Sequence, residues 1–276
     1  MNLHDAIEIA YATDTGRVRQ HNEDSTALNN AIGLAVLADG MGGYRAGEVA
    51  SAIATMTIYQ EVRDALGILV PGQIDHATGY RYESLVVRDA VSLANERIYR
   101  DARDHTEYEG MGTTAVVTLF YDNRVTVAHV GDSRGYRWRE RRLEQLTSDH
   151  TVVQEYLNSG LYTPEQARAS ANKNLVTRAL GIAAEVEADL SEYKVLPQDV
   201  YMLCSDGLTD LVDDQRITAA FENIGDDLSE TAKELVTLAN NQGGIDNISI
   251  VLARVKQSFA TPSSWQTKLA DWFTKH

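Results

Sequence analysis

Residues 114–130, TAVVTLFYDNRVTVAHV, decide the fold class because they resemble two buried strands joined by a tight turn. The two apolar runs are rich in β-branched residues, which favour strands. Only Asp122 and Asn123 separate the runs, and this pair tolerates the positive φ angles of a two-residue hairpin. Because a hairpin pairs its strands in opposite directions, at least part of the sheet is predicted to be antiparallel.

Outward from this hairpin, further apolar segments and amphipathic stretches follow along the chain. The additional strands are predicted at residues 6–12, 33–38, 200–204 and 247–255. The helices are predicted at residues 46–64, 83–104 and 228–240. Strand pairs and helices are interspersed without the strict alternation of a parallel α/β fold, which indicates a layered α+β domain.

The composition fits a folded enzyme and argues against a nucleic-acid partner. The chain has 276 residues, 43% of them hydrophobic, which is enough to bury a sizeable core. Its formal net charge of −15 opposes binding to nucleic acid or to an anionic bilayer. One cysteine, no signal-type N-terminus and no apolar run of roughly 18 residues predict a cytoplasmic protein without a membrane span.

Residues 1–256 are predicted to form one domain, and residues 257–276 a linker with a short amphipathic tail. Residues 258–264 are rich in serine, threonine and proline, which is typical of a linker. The tail then places four large apolar side chains on one helical face: Trp265, Leu269, Trp272 and Phe273. It could dock on the domain or bind a partner, and docking is the simpler hypothesis.

Several strand-like segments end in an aspartate next to a glycine or another turn-forming residue. These aspartates are Asp39, Asp132, Asp206 and Asp246. A strand end fixes the direction of a carboxylate, and a glycine lets the backbone turn sharply beside it. Carboxylate and carbonyl oxygens are the ligands that Mg²⁺ and Mn²⁺ prefer. One such aspartate alone is most often part of a simple turn, whereas four that converge would form a metal site.

Seven segments, taken in order, resemble the metal-dependent protein phosphatases of type 2C in their compact bacterial form. They are TDTGRVRQHNED (13–24), LADGMGGYRAGEVAS (37–51), GMGTTAV (110–116), VGDSRGYR (130–137), LTSDH (146–150), CSDGLTD (204–210) and GGIDNIS (243–249). The resemblance spans residues 7–255. It implies a four-layer α-β-β-α sandwich of two antiparallel sheets flanked by helices, with a metal centre at one edge.

The resemblance also implies two Mn²⁺ or Mg²⁺ ions. Asp39 matches the aspartate that bridges both ions. Asp206 and Asp246 would complete the first site, and Glu23 with the carbonyl of Gly40 would complete the second. The residues that converge would therefore come from segments far apart in the sequence.

Three further roles follow from the same resemblance. Asp132, together with Asp206, matches the residues that hold a weaker third ion in bacterial relatives. Asp24 resembles an acid outside the ligand set that orients metal-bound water and acts in catalysis. Arg19 occupies the position of a catalytic arginine that binds the phosphate of the substrate.

The implied function is a protein serine/threonine phosphatase that opposes a bacterial serine/threonine kinase. The implied mechanism is direct attack on phosphorus by a water that two cations activate, without a covalent phosphoenzyme. Phosphoprotein substrates and a cognate kinase are the expected partners, and a monomer is expected. A pseudophosphatase would need damaged metal ligands, and a phosphatase of the anti-sigma type would carry a sensory domain; both alternatives fit less well.

The resemblance does not identify the group that protonates the leaving alkoxide. Met41 and Tyr44 stand at the two positions where relatives have histidine. Tyr44, His21 and His150 are candidate donors, and a metal-bound water is the donor that we expect. Residues 149–178, called the flap segment below, match a mobile flap in relatives, and a solvated helix pair is the alternative.

An arginine-rich stretch, SRGYRWRERR (133–142), is predicted to form a hairpin. Its five arginines could collect acidic phosphopeptides despite the negative total charge. A hairpin whose arginines are simply solvated is the simpler interpretation.

Overall fold

The computed structural model describes residues 2–43, 46–69, 72–168, 170, 172, 175–223 and 227–261. Its strands are β1 (Ile7–Asp14), β2 (Asp24–Asn29), β3 (Leu34–Met41), β4 (Gly112–Thr113), β5 (Ala115–Tyr121), β6 (Arg124–Val130), β7 (Arg134–Arg139), β8 (Arg142–Gln145), β9 (Asp189–Lys194), β10 (Val200–Cys204) and β11 (Ile248–Val255). Its α-helices are α1 (Ala46–Leu66), α2 (Tyr82–Asp104), α3 (Val152–Asn158), α4 (Pro164–Arg168), α5 (Asp206–Thr209), α6 (Asp214–Glu222) and α7 (Leu228–Asn241). Each predicted strand and helix is present, with ends shifted by at most a few residues.

Two antiparallel sheets form the centre of the molecule. The first has the order β1-β11-β10-β7-β8, and the second has the order β2-β3-β5-β6-β9 with the short β4 paired to β3. The turn between β5 and β6 has φ values of 43° at Asp122 and 53° at Asn123, which confirms the predicted two-residue hairpin.

Helices cover the outer face of each sheet, so the chain forms the predicted four layers. The apolar faces of α1 and α2 pack on β3, β5 and β6, and those of α6 and α7 pack on β7, β10 and β11. A third apolar cluster lies between the sheets, where Phe120 and Val125 of one sheet meet Tyr201 and Ala253 of the other. The central strands are therefore buried on both faces, which explains their nearly continuous apolar sequence.

Two of the strands that the sequence did not predict, β2 and β9, lie at the edges of the second sheet; the two-residue β4 was not predicted either. β2 and β9 are half-buried along nearly their whole length. An edge strand has one neighbour and keeps contact with solvent, so its sequence carries more polar residues and lacks a strong apolar run. The helices α3 and α4 of the flap segment are short, and α3 buries only Val153.

The arginine-rich stretch forms the β7–β8 hairpin as predicted, but most of its charges are already paired. Arg134 binds Asp149, Arg137 binds Glu144, Arg139 binds Asp199 and Arg141 binds Glu222. Four of the five arginines therefore have a carboxylate neighbour. This pairing argues against the hairpin as a collector of acidic phosphopeptides.

The chain beyond β11 stays on the domain as far as Thr261. Phe259 is 6% exposed and packs among the residues between the sheets. Its backbone N–H donates to Asn123 Oδ1 at 2.6 Å, and the N–H of Thr261 donates to Asp122 Oδ1 at 2.8 Å. The four apolar residues of the predicted tail lie outside the described residues, so the division at residue 256 stays a prediction.

Within the described part of the chain, no helix has the length and apolar character needed to cross a membrane.

Truncation is expected to separate the role of Phe259 from that of the tail. A chain ending at Lys256 loses a buried phenylalanine and is expected to lose ~3 kcal/mol of stability, a fall in Tm of roughly 6–12 °C. A chain ending at Thr261 keeps every contact described above and should unfold within about 2 °C of the full chain. Thermal unfolding followed by circular dichroism measures both, with Phe259→Ala in the full chain as control. Equal Tm values for the two truncations would show that Phe259 contributes little.

Candidate active site

The predicted aspartates lie where strands of both sheets end at one edge of the sandwich. Asp24 at the start of β2 faces Asp39 of β3 in the strand register. Asp206 lies two residues after the end of β10 and begins α5. Asp246 precedes β11 by two residues. Segments that are far apart in the sequence thus deliver carboxylates to a single place.

The pKa of Asp39 reflects its burial and the nearby carboxylates. Burial raises the pKa of Asp39 well above its usual range, and the negative charges of four neighbours raise it further: Asp24, Asp206, Asp132 and Asp246. These five residues are called the aspartate cluster. A buried group surrounded by like charges is strongly disfavoured in its ionised form unless a cation is added.

Other members of the aspartate cluster show the same effect. Burial, followed by the charge of Asp132, raises the pKa of Asp206 to about 8. Burial and the charge of Asp149 raise the pKa of Asp132 to about 6. Burial also raises the pKa of Asp24 to about 6, against the hydrogen bond that Ser205 Oγ donates to Asp24 Oδ2 at 2.9 Å.

The aspartate cluster fits divalent cations. Asp24 Oδ1 is buried and has no hydrogen-bond partner among the described residues. A buried oxygen without a partner and several mutually repelling carboxylates are both satisfied by a bound cation. The ligands offered are hard oxygens, which suits Mg²⁺ and Mn²⁺ rather than softer metals.

Glu23 and Gly40 lie beside the aspartate cluster in a tightly packed backbone region. The N–H of Gly40 donates to the Glu23 carbonyl at 3.2 Å, and Ser51 Oγ donates to the same carbonyl at 2.6 Å. A Cβ atom on Gly40 would collide with the carbonyl of Gly47, and one on Gly47 would collide with the backbone of Gly40 as well as with the Glu23 carboxylate. Both glycines are therefore required, because the two backbone segments approach each other closely. Burial also raises the pKa of Glu23.

Arg19 differs from the other site residues because its side chain is more than half exposed. Its Nη2 donates to Asp246 Oδ2 at 2.7 Å, and the side chains are 55% and 33% exposed respectively. The arginine thus stands at the open side of the aspartate cluster with part of its guanidinium facing solvent. That is a suitable place for a group that binds phosphate.

Asn247 was not predicted as a site residue, although it holds the loop that carries Arg19 and Glu23. Its Oδ1 accepts the N–H of Glu23 at 2.8 Å. Its Nδ2 donates to the carbonyls of Thr15 and His21 at 3.0 and 2.9 Å. Asn247 lies in the quoted segment GGIDNIS, but an asparagine at such a position is also typical of an ordinary turn, so the sequence did not indicate its role.

The candidate proton donors are placed differently. His150 is 3% exposed and contacts Gly131 and Asp189, so it does not reach the open side of the aspartate cluster. His21 is exposed in the loop that Asn247 holds. Tyr44 lies outside the described residues, and Met41 ends β3. The identity of the donor stays a prediction.

Comparisons with known proteins agree with this architecture. A family model described as "Protein phosphatase 2C" matches residues 14–240. The chain belongs to this family. The predicted fold class and the predicted metal-dependent phosphoprotein phosphatase activity are thereby confirmed.

Individual relatives cover most of the chain. The serine/threonine phosphatase stp of Listeria monocytogenes is 35% identical over 245 residues, which is 88% of this chain and 93% of that one. The protein phosphatase PhpP of Streptococcus pneumoniae is 35% identical over 261 residues, 92% of this chain and 100% of that one. The crystal structure of the serine/threonine phosphatase PstP/Ppp of Mycobacterium tuberculosis has a TM-score of 0.81 and 37% identity, and the match covers 91% of this chain and 100% of that one.

A neutral residue at position 206 is expected to stabilise the protein in EDTA. An acid whose pKa rises from 3.8 to about 8 on folding contributes stability below about pH 4, and this stability is lost as the pH rises through 8. The Tm of the wild type in EDTA should therefore fall between about pH 5 and pH 8, and the Tm of Asp206→Asn should fall less.

The same variant should lose the stabilisation that Mn²⁺ confers at about pH 8, because it lacks a charged carboxylate that could bind the ion. Asp5→Asn, at an exposed position, is the matched control for the change in net charge. Parallel pH profiles for the wild type and Asp206→Asn in EDTA would contradict the prediction. Differential scanning calorimetry provides the measurement.

Proposed function

We propose that this chain hydrolyses phosphoserine and phosphothreonine in proteins with a pair of Mn²⁺ or Mg²⁺ ions held in the aspartate cluster. The observation that supports the proposal is the contact between the exposed Arg19 and Asp246, because a guanidinium beside these carboxylates could bind phosphate. The stp relative is a serine/threonine phosphatase, and a crystal structure of the PstP catalytic domain, 37% identical with a TM-score of 0.77, is in complex with two manganese ions.

The ligands are assigned from the resemblance and from burial. Asp39 would bridge both ions and Asp206 and Asp246 would complete the first site, while Glu23 and the carbonyl of Gly40 would complete the second. The raised pKa values of Asp39 and Asp206 support this assignment, because both groups gain most from a neighbouring cation. When bound, the ions supply an activated water and offset negative charge on the phosphate.

Asp132 is proposed as a ligand of a third, weaker ion, together with Asp206. The mutual repulsion of these two carboxylates supports this placement, since the charge of Asp132 contributes to the raised pKa of Asp206. A cation between them would remove that repulsion.

Arg19 is proposed to bind the phosphate group of the substrate. Its planar guanidinium can donate two parallel hydrogen bonds to phosphate oxygens while one nitrogen stays bound to Asp246. Because Asp246 already holds the side chain, the arginine loses less conformational entropy when it binds phosphate. The positive charge would also stabilise the negative charge that builds up on the oxygens in the transition state.

Asp24 is proposed to orient the attacking water. Its Oδ2 is fixed by Ser205 Oγ, and its Oδ1 has no hydrogen-bond partner in the described structure. Oδ1 is therefore available to accept a hydrogen bond from a water in the aspartate cluster. A carboxylate fixed on one side and free on the other can hold that water in one orientation.

We infer that the enzyme opposes a serine/threonine kinase, which its membership of the protein phosphatase 2C family supports. The net charge of −15 supports the inference that it does not bind nucleic acid. Action in the cytoplasm and as a monomer stays a prediction. The pseudophosphatase alternative is disfavoured, because every acidic residue proposed as a metal ligand is present in the sequence.

Chelation provides the direct test of the proposed function. Turnover of phosphoserine and phosphothreonine peptides should be abolished by EDTA and restored by Mn²⁺ or Mg²⁺, while a matched phosphotyrosine peptide should be turned over more slowly. Phosphate release measured by malachite green is a suitable assay. Full activity in EDTA, or a preference for phosphotyrosine, would contradict the proposal.

Removing the Arg19 guanidinium should weaken both phosphate binding and catalysis. Arg19→Ala is expected to raise the KM for a phosphopeptide and lower kcat, with kcat/KM reduced by about 10²-fold. Arg17→Ala is the matched control, because it removes the same charge from an exposed position in the same loop. Steady-state kinetics on one phosphothreonine peptide compares the variants. If kcat/KM fell equally in Arg19→Ala and Arg17→Ala, the effect would come from the lost positive charge and not from phosphate binding by Arg19.

A further inference from the structure

A second cluster of titratable groups lies at the base of the flap segment, outside the aspartate cluster. It consists of His129 near the end of β6, His150 at the start of the flap segment and Asp189 at the start of β9. The two imidazole rings stack with centroids 4.6 Å apart. One potential ligand atom from each residue lies within 4.8 Å of the others. By spacing alone, these three residues could hold a metal ion.

The hydrogen bonds of His150 argue against a metal ion. The backbone N–H of Gly131 donates to His150 Nδ1 at 3.1 Å, so Nδ1 carries a lone pair and the ring proton is on Nε2. A metal at Nε2 would move that proton to Nδ1, where it would face the N–H of Gly131. Arg178 Nη1 also binds Asp189 Oδ1 at 2.8 Å and already compensates its charge.

The protonated Nε2 of His150 instead points toward a carboxylate. It lies 3.4 Å from Asp189 Oδ2, which is an electrostatic contact rather than a well-aligned hydrogen bond. Burial and the neighbouring His129 lower the pKa of His150 to about 4, so the ring is neutral near pH 7. His129 is fixed separately, because its Nε2 bonds the carbonyl of Ser148 at 2.8 Å.

On one side, His150 forms hydrogen bonds with both the N–H and the carbonyl of Gly131. Its ring accepts the N–H of Gly131, and its own backbone N–H donates to the carbonyl of Gly131 at 2.9 Å. Gly131 has a φ of 103°, a conformation that L side chains rarely adopt. The next residue is Asp132, so this double contact fixes the turn that presents Asp132 to the aspartate cluster.

On the other side, His150 and Asp189 hold the two ends of the flap segment together. The N–H of Thr177 donates to the His150 carbonyl at 2.7 Å, and that of Val152 donates to the carbonyl of Leu175 at 3.0 Å. Asp189 then binds Arg178, the last residue of the flap segment. The start and the end of the flap segment are thus joined at its base.

We propose that His150 is a positioning residue that links the base of the flap segment to the turn before Asp132, with Nδ1 holding the turn and Nε2 facing Asp189. This inference rests on the proposed role of Asp132 as a metal ligand. The imidazole ring of His150 therefore connects the base of the flap segment to the residue that precedes Asp132. The buried ring then acts at a distance from the substrate and is not itself a catalytic group.

Two substitutions separate the functions of the two ring nitrogens. The Oδ1 of His150→Asn can take the place of Nδ1 and accept the N–H of Gly131, but the side chain is too short to reach Asp189. The amide nitrogen of His150→Gln can take the place of Nε2, but nothing replaces the Nδ1 acceptor. Asp189→Asn, which keeps the ring intact, should resemble His150→Asn.

Hydrogen exchange of backbone amides in EDTA provides the readout, and it does not depend on phosphatase activity. In His150→Asn we expect the Gly131 amide to exchange within about threefold of the wild-type rate and the Val152 and Thr177 amides to exchange about tenfold faster or more. In His150→Gln we expect the opposite pattern. The amide of Leu119 in the core of β5 reports global unfolding and normalises both variants.

Kinetics adds a second readout that a purely structural role would not move. His150→Asn should raise the KM for a phosphopeptide by about fivefold and leave turnover of a small aryl phosphate nearly unchanged. His150→Gln should raise the Mn²⁺ concentration needed for half-maximal activation by a similar factor.

Three results would overturn the proposal. One is that both variants accelerate exchange at Gly131, Val152 and Leu119 alike, which would make His150 an ordinary core residue. Another is unchanged exchange in both variants. The third is stoichiometric Zn²⁺ binding to the wild type that both variants lose, because His150 would then be a metal ligand. If the enzyme lacked phosphatase activity, the exchange results in EDTA would still decide the positioning role.

Discussion

The mutual repulsion of buried carboxylates is the constraint to which the rest of this structure is fitted. Two carboxylates about 5 Å apart repel by about 3 kcal/mol at an effective dielectric constant near 20, and this chain brings together several. The sandwich supplies the opposing stability, because β3, β10 and β11 are largely buried. Asp39 lies near the end of β3, Asp206 just after β10 and Asp246 just before β11. The strands next to the aspartates therefore also supply the stability that offsets the repulsion among these carboxylates.

Hydrogen bonds from polar groups outside the aspartate cluster hold the site residues in position. The amide of Asn247 binds three backbone groups of the loop that carries Arg19 and Glu23. Ser205 Oγ holds one oxygen of Asp24. Each of these contacts joins segments separated by more than 180 residues in the sequence, so the site forms only once both sheets have assembled. Metal binding and correct packing of the sandwich are consequently coupled.

The sequence predicted the parts of the fold that produce a local signal. The β5–β6 hairpin has a turn pair and two buried strands, whereas the edge strands β2 and β9 contact solvent and were missed. Convergence of the aspartates could be inferred only from the resemblance, because a strand end does not reveal its spatial neighbours. The role of Asn247 could not be predicted, since its partners belong to a distant loop whose backbone path no local pattern specifies.

The chain's one cysteine bears on how the enzyme responds to oxidants. Cys204 is buried in β10, and burial raises the pKa of its thiol to about 12. Peroxide attacks the thiolate and needs access to it, and both conditions are poorly met here. Enzymes that use a cysteine nucleophile to remove phosphate stop when that sulfur is oxidised. A phosphatase built on carboxylates continues, so dephosphorylation by this chain should persist during oxidative stress.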